Sequence, residues 1–226
     1  MDFKTNYIGH DGIYKKRRQN DFQGWGETAE GYDRYISEVK EVIDHGNAPS
    51  SGKVLEIGCG AGNISIWFAQ QGYKAHGMDI APSAIEWAKE KALEANVEVD
   101  FRVGNVVHLE EYQDESFDFV FDGHCLHCII GDDRATLLNN VHRVLKPGGY
   151  CFINTMCTPV DGSRIDNYDP KTRCTFHDGF ATRFWGHPEE LVAEMEAAKF
   201  EVIWSDVRLD KPDNPNYGML IELKKK

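Results

Sequence analysis

At 226 residues the chain suits one α/β domain with an appended cap better than two full domains. Hydrophobic residues make up 41% and aromatics 12%, enough for a packed core, and no apolar run approaches the length of a membrane span or of a signal-peptide core, so a soluble, cytoplasmic protein is expected. Asp and Glu number 37 against 25 Lys and Arg, and the resulting formal charge of -12 repels phosphate backbones and argues against nucleic acid as the partner.

Residues 1–28 are polar, aromatic and glycine-bearing without clean periodicity, which predicts a flexible arm or lid. The run Lys15-Lys16-Arg17-Arg18 and the tail Lys224–Lys226 are the two local basic patches, and solvated chain ends are the simpler account of both. Over 29–45, Tyr32, Ile36, Val39 and Ile43 fall at helical spacing and Gly46 stops the helix. Residues 1–48 thus read as an N-terminal arm and helix forming a cap, and 49–226 as the main domain. From Lys53 the pattern alternates: a strand at 53–57, a helix at 63–71, a strand at 74–80, then a helix that Pro82 opens and that runs to about Asn96. Strands follow at 97–103 and 117–121, a helix at 132–145 closed by Lys146-Pro147-Gly148-Gly149, and a strand at 150–156. The stretch 157–186 looks irregular and too long for an ordinary connection, which suggests a lid inserted in the domain. A helix at 188–198 and strands at 202–209 and 217–223 finish the chain. Alternating strands and helices predict an α/β fold with a doubly wound parallel sheet and right-handed crossovers.

The first strand runs directly into Gly58-Cys59-Gly60-Ala61-Gly62 and a helix. Glycines there permit positive φ and let a ligand touch the backbone, at the strand ends where open α/β sheets bind ligands. The spacing departs from the dinucleotide fingerprint G-x-G-x-x-G, since Asn63 stands where its third glycine belongs. Glu56 at the mouth of the loop disfavours a pyrophosphate and suits a ligand with a cationic end. Asp79, 21 residues after Gly58 and followed by Ile80, is placed to accept both hydroxyls of a ribose.

On these residues the sequence resembles the class I S-adenosylmethionine-dependent methyltransferase family. VLEIGCGAG is similar to the family's first motif, GMDI to its ribose-binding acid, and VGNVVHL to the segment that holds the adenine, with Asn105 where many members have Asp, followed by Val106. FDFVFDGHCLHCI resembles the fourth-strand motif and RVLKPGGYCFI the turn into the fifth strand. The resemblance covers residues 50–156 well and the last two strands loosely. It implies a seven-stranded, Rossmann-like sheet whose last strand is antiparallel, with S-adenosyl-L-methionine as cofactor, Gly58, Cys59 and Gly60 cradling its methionine end, Glu56 supporting the ammonium side, Asp79 and Ile80 at the ribose, and Asn105 and Val106 at the adenine. It leaves the acceptor open.

Methyl transfer from a sulfonium is an in-line displacement, in which the protein chiefly aligns acceptor and methyl and needs a base only if the acceptor must lose a proton. The segment Asp122–Cys128 leaves the fourth strand at the active-site end. His127 and His124 are the candidate catalytic bases, because imidazole titrates near neutrality; orienting loops or facing solvent is the alternative. Asp122 is a candidate cofactor contact or an anchor for the loop. Cys125-x-x-Cys128 has zinc-like spacing, but no second crisp pair accompanies it, so no metal is expected. With no secretion signal, all six cysteines are expected as free thiols.

In the lid, Arg164, Arg173 and Arg183 are candidates to clamp a carboxylate or phosphate on a small acceptor, with pairing to nearby Asp161, Asp166, Asp169 and Asp178 as the alternative. In the arm, Tyr7, Tyr14, Phe22 and Trp25 are candidates to close over cofactor or acceptor, and Trp25, between Gly24 and Gly26, is the best placed to face a sulfonium, or else simply packs. A small-molecule methyltransferase is the expected function. The rivals are an RNA or protein methyltransferase, an NAD(P)-dependent oxidoreductase, and a non-catalytic cofactor-binding module. The oligomeric state is left open.

Overall fold

The structure, a computed structural model, describes residues 3–159, 165–211 and 214–226, with backbone alone for 209–211 and 214–216. Its main sheet holds β1 (Lys53–Ile57), β2 (Lys74–Asp79), β3 (Asp100–Val103), β4 (Phe117–Gly123), β5 (Leu145–Cys157), β9 (Phe200–Lys211) and β10 (Asn214–Lys225), in the order β3-β2-β1-β4-β5-β10-β9. Pairings among β1 to β5 are parallel, whereas β10 runs antiparallel to both β5 and β9. The seven-stranded sheet with an antiparallel final strand is therefore present. Strand order reverses between β1 and β4, which makes the carboxyl ends of those strands the expected ligand crevice.

Period-2 alternation explains the two cores. On β5, Tyr150 and Phe152 join Phe119, Phe121, Phe68 and Val54 on the face covered by α2 (Ala29–Asp44) and α3 (Asn63–Gln70). Cys151 and Ile153 join Leu55, Ile57 and Val120 on the face covered by α5 (Asp133–Val144) and α6 (Pro188–Ala197). The helix α4 (Pro82–Glu94) packs Ile85, Ala88 and Ala92 against Ile66 and Phe101.

Two expectations need correction. The arm is not irregular: a 3-10 turn at Tyr7–Gly9 leads into α1 (His10–Gln19), which docks on α4 through Asp11, whose carboxylate accepts from the Ser83 backbone N–H at 2.8 Å and from its hydroxyl at 2.6 Å. Nor is the inserted stretch structureless. β6 (Tyr168–Asp169), β7 (Cys174–His177) and β8 (Phe180–Phe184) form a small antiparallel sheet, with a tight turn in which Asp178 and Gly179 both have positive φ.

Candidate functional site

The glycine loop is dictated twice over, by backbone conformation and by crowding. Gly58, Gly60 and Gly62 have φ of 67°, 52° and 75°. A Cβ on Gly58 would meet the Cys125 side chain at 2.7 Å, and one on Gly62 would meet Phe101 at 2.5 Å. The loop is locked to the next strand by Asp79, which accepts from the Gly60 N–H and the Ala81 N–H, both at 2.9 Å. These bonds aim a fixed carboxylate at the loop mouth and leave it further acceptor capacity.

Three buried carboxylates converge at the carboxyl ends of adjacent strands: Glu56 on β1, Asp79 on β2 and Asp122 on β4. Glu56 accepts from the Ser65 hydroxyl, while Asp122 accepts from the backbone N–H groups of Cys125 and Leu126. Among the described residues none of the three has an ion-pair partner. Burial pushes Glu56 up to about 8, helped by Asp79 and Asp122, and pushes Asp122 up to about 7. Burial also raises Asp79, against the pull of its two N–H donors. Among the described residues no cation pairs directly with these carboxyls, so the chamber suits a cationic ligand.

The arm covers this chamber. Tyr14 is fully buried and its hydroxyl lies over Gly60, where any Cβ would collide with it. Trp25 lies with its ring 5.6 Å from Tyr14 and 5.7 Å from His10 and packs with Ala81 and Ala84. The Arg17 guanidinium stacks 4.6 Å over the indole and bonds the Trp25 carbonyl. A cation from the chain itself thus occupies one face of Trp25. Within the basic run, Lys15 pairs with Asp11 and Arg18 with Glu90. On the other side, the Gly104 N–H bonds the Asp79 carbonyl at 3.0 Å, which sets Asn105 and Val106 beside β2. The Asn105 side-chain oxygen accepts from the Val107 N–H at 3.0 Å, so it stabilises its own turn, and Val106 is buried.

Beyond β4 the chain turns through His124, at φ 75°, into a 3-10 turn at Leu126–Cys128. Asp122 anchors that turn through the Cys125 and Leu126 N–H groups, which accounts for its burial without a cofactor contact. His124 lies 5.9 Å from His127 and 5.6 Å from Tyr35 of α2, ring centre to ring centre. His127 is 4% exposed, and its Nδ1 has no hydrogen-bond partner among the described residues, nor has the Tyr35 hydroxyl. Burial, with His124, Arg183 and Arg134 adding, holds the His127 imidazole well below its usual range and therefore neutral. Orphaned buried polar atoms at a strand-end crevice are what a ligand satisfies.

Arg134 of α5 was invisible as a site residue, since DDRATLL reads as an ordinary exposed helix start. It is 4% exposed, pairs with Glu194 of α6 at 2.6 Å, and donates to the carbonyls of Leu126 at 2.8 Å and Ile129 at 3.2 Å. It thereby clamps both ends of the turn that carries His127. Tyr35 was missed for the same reason, because nothing local distinguishes it within α2. Of the three lid arginines, Arg164 lies outside the described residues, Arg173 pairs with Glu190 at 2.7 Å, and Arg183 stands opposite Thr175 in the small sheet. All six cysteines are free, and among the described residues no group of three or more His, Cys, Asp or Glu could hold a metal ion. No helix among them is long and apolar enough to cross a membrane.

A family model described as a methyltransferase domain matches residues 55–153. A ubiquinone biosynthesis O-methyltransferase of Xanthomonas oryzae pv. oryzae is 36% identical over 104 residues, 46% of this chain and 43% of that protein. Its counterpart in Xanthomonas axonopodis pv. citri is 34% identical over 108 residues, 48% and 44%. The chain thus spans less than half the length of these curated relatives. The solved structure of a SAM-dependent methyltransferase from Methanosarcina mazei superposes with a TM-score of 0.65 at 26% identity, covering 81% of this chain and 96% of that one. A Burkholderia thailandensis 1,6-didemethyltoxoflavin-N1-methyltransferase, solved with bound 1,6-didemethyltoxoflavin and S-adenosylhomocysteine, shares the fold at 19% identity and a TM-score of 0.64, over 98% and 91%.

Proposed function

We propose that this chain, which belongs to the class I S-adenosylmethionine-dependent methyltransferase family, moves a methyl group from that cofactor to a small-molecule acceptor by in-line displacement. The observation that carries the proposal is the set of three buried carboxylates without ion pairs, clustered at the switch point beside a glycine loop whose φ values are all positive. That chamber fits a sulfonium cofactor and does not fit the pyrophosphate of a dinucleotide. When bound, S-adenosylmethionine supplies a methyl group on a positively charged sulfur.

The chain's own residues have the following roles in this proposal. Backbone at Gly58, Cys59 and Gly60 cradles the methionine end, and Glu56 provides negative charge toward the ammonium. Asp79, with Ile80 after it, holds the ribose hydroxyls, and Asn105 with Val106 borders the adenine. Tyr14 and the α1 helix shield the chamber from water. Asp122 and Arg134 fix the loop, so that His127 presents a neutral imidazole to the acceptor and takes its proton at Nδ1 as the new bond forms. His124 lines the same side. The curated relatives named for ubiquinone biosynthesis, and the toxoflavin enzyme, support an acceptor of small-molecule size. The pairing of Lys15 and Arg18 with local acids weighs against an RNA acceptor.

Titration calorimetry with S-adenosylhomocysteine tests the reading. Binding of S-adenosylhomocysteine with none of NADH is expected, and the reverse outcome would make the protein a nicotinamide enzyme instead.

A further inference from the structure

We propose that Asn154 and Tyr35 form a hydrogen-bonding niche for a neutral amide, a carboxamide or lactam group, carried by the methyl acceptor. The inference rests on the proposed methyl transfer and names the chemical class of its acceptor.

The register of the main sheet assembles the niche. Gly123 of β4 stands opposite Asn154 of β5, and Asn154 opposite Leu220 of β10, with no irregularity at these positions. Phe121 and Phe152, two residues earlier on β4 and β5, stack on each other in the core under α2. Strand alternation therefore turns Gly123 and Asn154 to that same face. Gly218, two residues before the buried Leu220 of that core, shares it.

Contacts agree with this parity. A Cβ on Gly123 would meet the hydroxyl of Tyr35, from α2, at 2.7 Å, and one on Gly218 would lie 3.7 Å from the Asn154 side-chain oxygen. Neither glycine has positive φ, so the backbone does not require either of them. Glycines inside strands mark places where another group comes close. Here Gly123 makes room for the Tyr35 hydroxyl, and Gly218 leaves space beside the Asn154 amide.

Both polar groups are unsatisfied. Asn154 is 6% exposed, and its amide makes no hydrogen bond among the described residues. The Tyr35 hydroxyl is buried and has no partner either. Leaving both dry costs free energy that a ligand recovers by bonding them.

The surrounding charges select a neutral ligand. Glu56, opposite Phe121 on β1, is an acid on the same face, and Arg208, opposite Gly218 on β9, is paired with Asp206 at 2.8 Å. An anion would meet the acid and find Arg208 already paired. Burial, with Glu56 and Asp122 adding, holds the Tyr35 phenol well above its usual range, so it stays a neutral hydroxyl. An asparagine amide offers N–H donors and a carbonyl acceptor side by side, the complement of a carbonyl next to an N–H, and the tyrosine hydroxyl supplies a further donor. The His124 ring lies 5.6 Å from Tyr35 and 5.9 Å from His127, which brings the niche within a small molecule's length of the candidate base.

The test is calorimetry on the full chain saturated with S-adenosylhomocysteine, with benzamide, acetophenone and benzoate as probes, on the unaltered protein, Asn154→Leu and Tyr35→Phe. Acetophenone keeps the carbonyl and lacks the N–H, and benzoate carries the charge. The unaltered protein should bind benzamide best, acetophenone less well and benzoate least. In Asn154→Leu, benzamide should weaken roughly 10- to 100-fold and lose its advantage over acetophenone; in Tyr35→Phe both carbonyl probes should weaken about 3- to 10-fold. Benzoate bound as tightly as benzamide, benzamide affinity unchanged by both substitutions, or no benzamide binding while S-adenosylhomocysteine still binds, overturns the inference and leaves the proposed function standing. Failure of the unaltered protein to bind S-adenosylhomocysteine counts against the proposed function itself.

Discussion

The two ends of the cleft are built by different means. At the proposed cofactor end, Glu56 to Gly62, Asp79 to Ala81 and Gly104 to Val106 lie in one stretch of chain and are joined largely by hydrogen bonds from backbone N–H groups. At the proposed acceptor end, Tyr35, His124, His127, Arg134 and Glu194 come from α2, the loop after β4, α5 and α6, and meet through ring contacts and the hydrogen bonds of Arg134. The first end is a conformation that a few glycines and an acid enforce locally. The second is a packing arrangement that exists only when distant elements have docked. An S-adenosylmethionine site can therefore persist in a chain whose acceptor chamber diverges, because few of its contacts depend on the lid.

Substitutions can break this contrast. The largest effect is expected for Asp79→Ala, which removes the ribose acceptor and also orphans the Gly60 and Ala81 N–H groups. Two hydrogen bonds to a charged group, about 1.5–3 kcal/mol each, correspond to a roughly 100- to 10,000-fold loss of S-adenosylhomocysteine affinity by calorimetry. Unchanged affinity would remove Asp79 from the cofactor end. Next comes His127→Gln, for which kcat should fall about 100-fold or more with cofactor affinity nearly intact. The pH profile sharpens this prediction. Burial disfavours the charged imidazole, so the base stays available as pH drops through 6.5, and the acid limb of kcat should lie well below that value. A limb at ordinary imidazole pH, or equal small losses in kcat and affinity, would reduce His127 to a structural role. A smaller effect is expected for Arg134→Lys, which keeps a charge for Glu194 but cannot hold Leu126, Ile129 and Glu194 together. A loss of about 2 kcal/mol in denaturant unfolding and a drop in kcat at unchanged cofactor affinity are expected. Loss of cofactor affinity as well would show that the two ends are not separable.

The same contrast explains what the sequence made legible. The strand at 53–57, the glycine loop, Asp79 and the Pro82 helix were readable because turn chemistry and periodicity are local. The α1 helix was not, since it buries Tyr14 alone among its residues and mixes that with a Lys-Lys-Arg-Arg run, so it shows no apolar stripe. The small sheet escaped because its strands are two to five residues long. Its one local signal was the Asp178-Gly179 pair, a hairpin dipeptide whose positive φ values the structure bears. Trp25 illustrates the limit of residue type as evidence: an indole between glycines suits a sulfonium, but Arg17, eight residues back, takes its ring. Arg134 and Tyr35 were illegible in principle, because their roles depend on partners more than 50 residues away, Glu194 and His124.

If the proposed cofactor seats beside the buried carboxyls, its uptake is a proton-exchange reaction. Glu56, raised to about 8, and Asp122, raised to about 7, hold protons in the folded chain at pH values where the unfolded chain has released them. The sign follows: the folded state binds more protons, so these groups favour folding at low pH and that contribution fades as pH rises toward 8. A cation seated among them favours the ionised forms, so protons leave as it arrives, the heat of binding varies with the ionisation enthalpy of the buffer, and affinity strengthens in alkali.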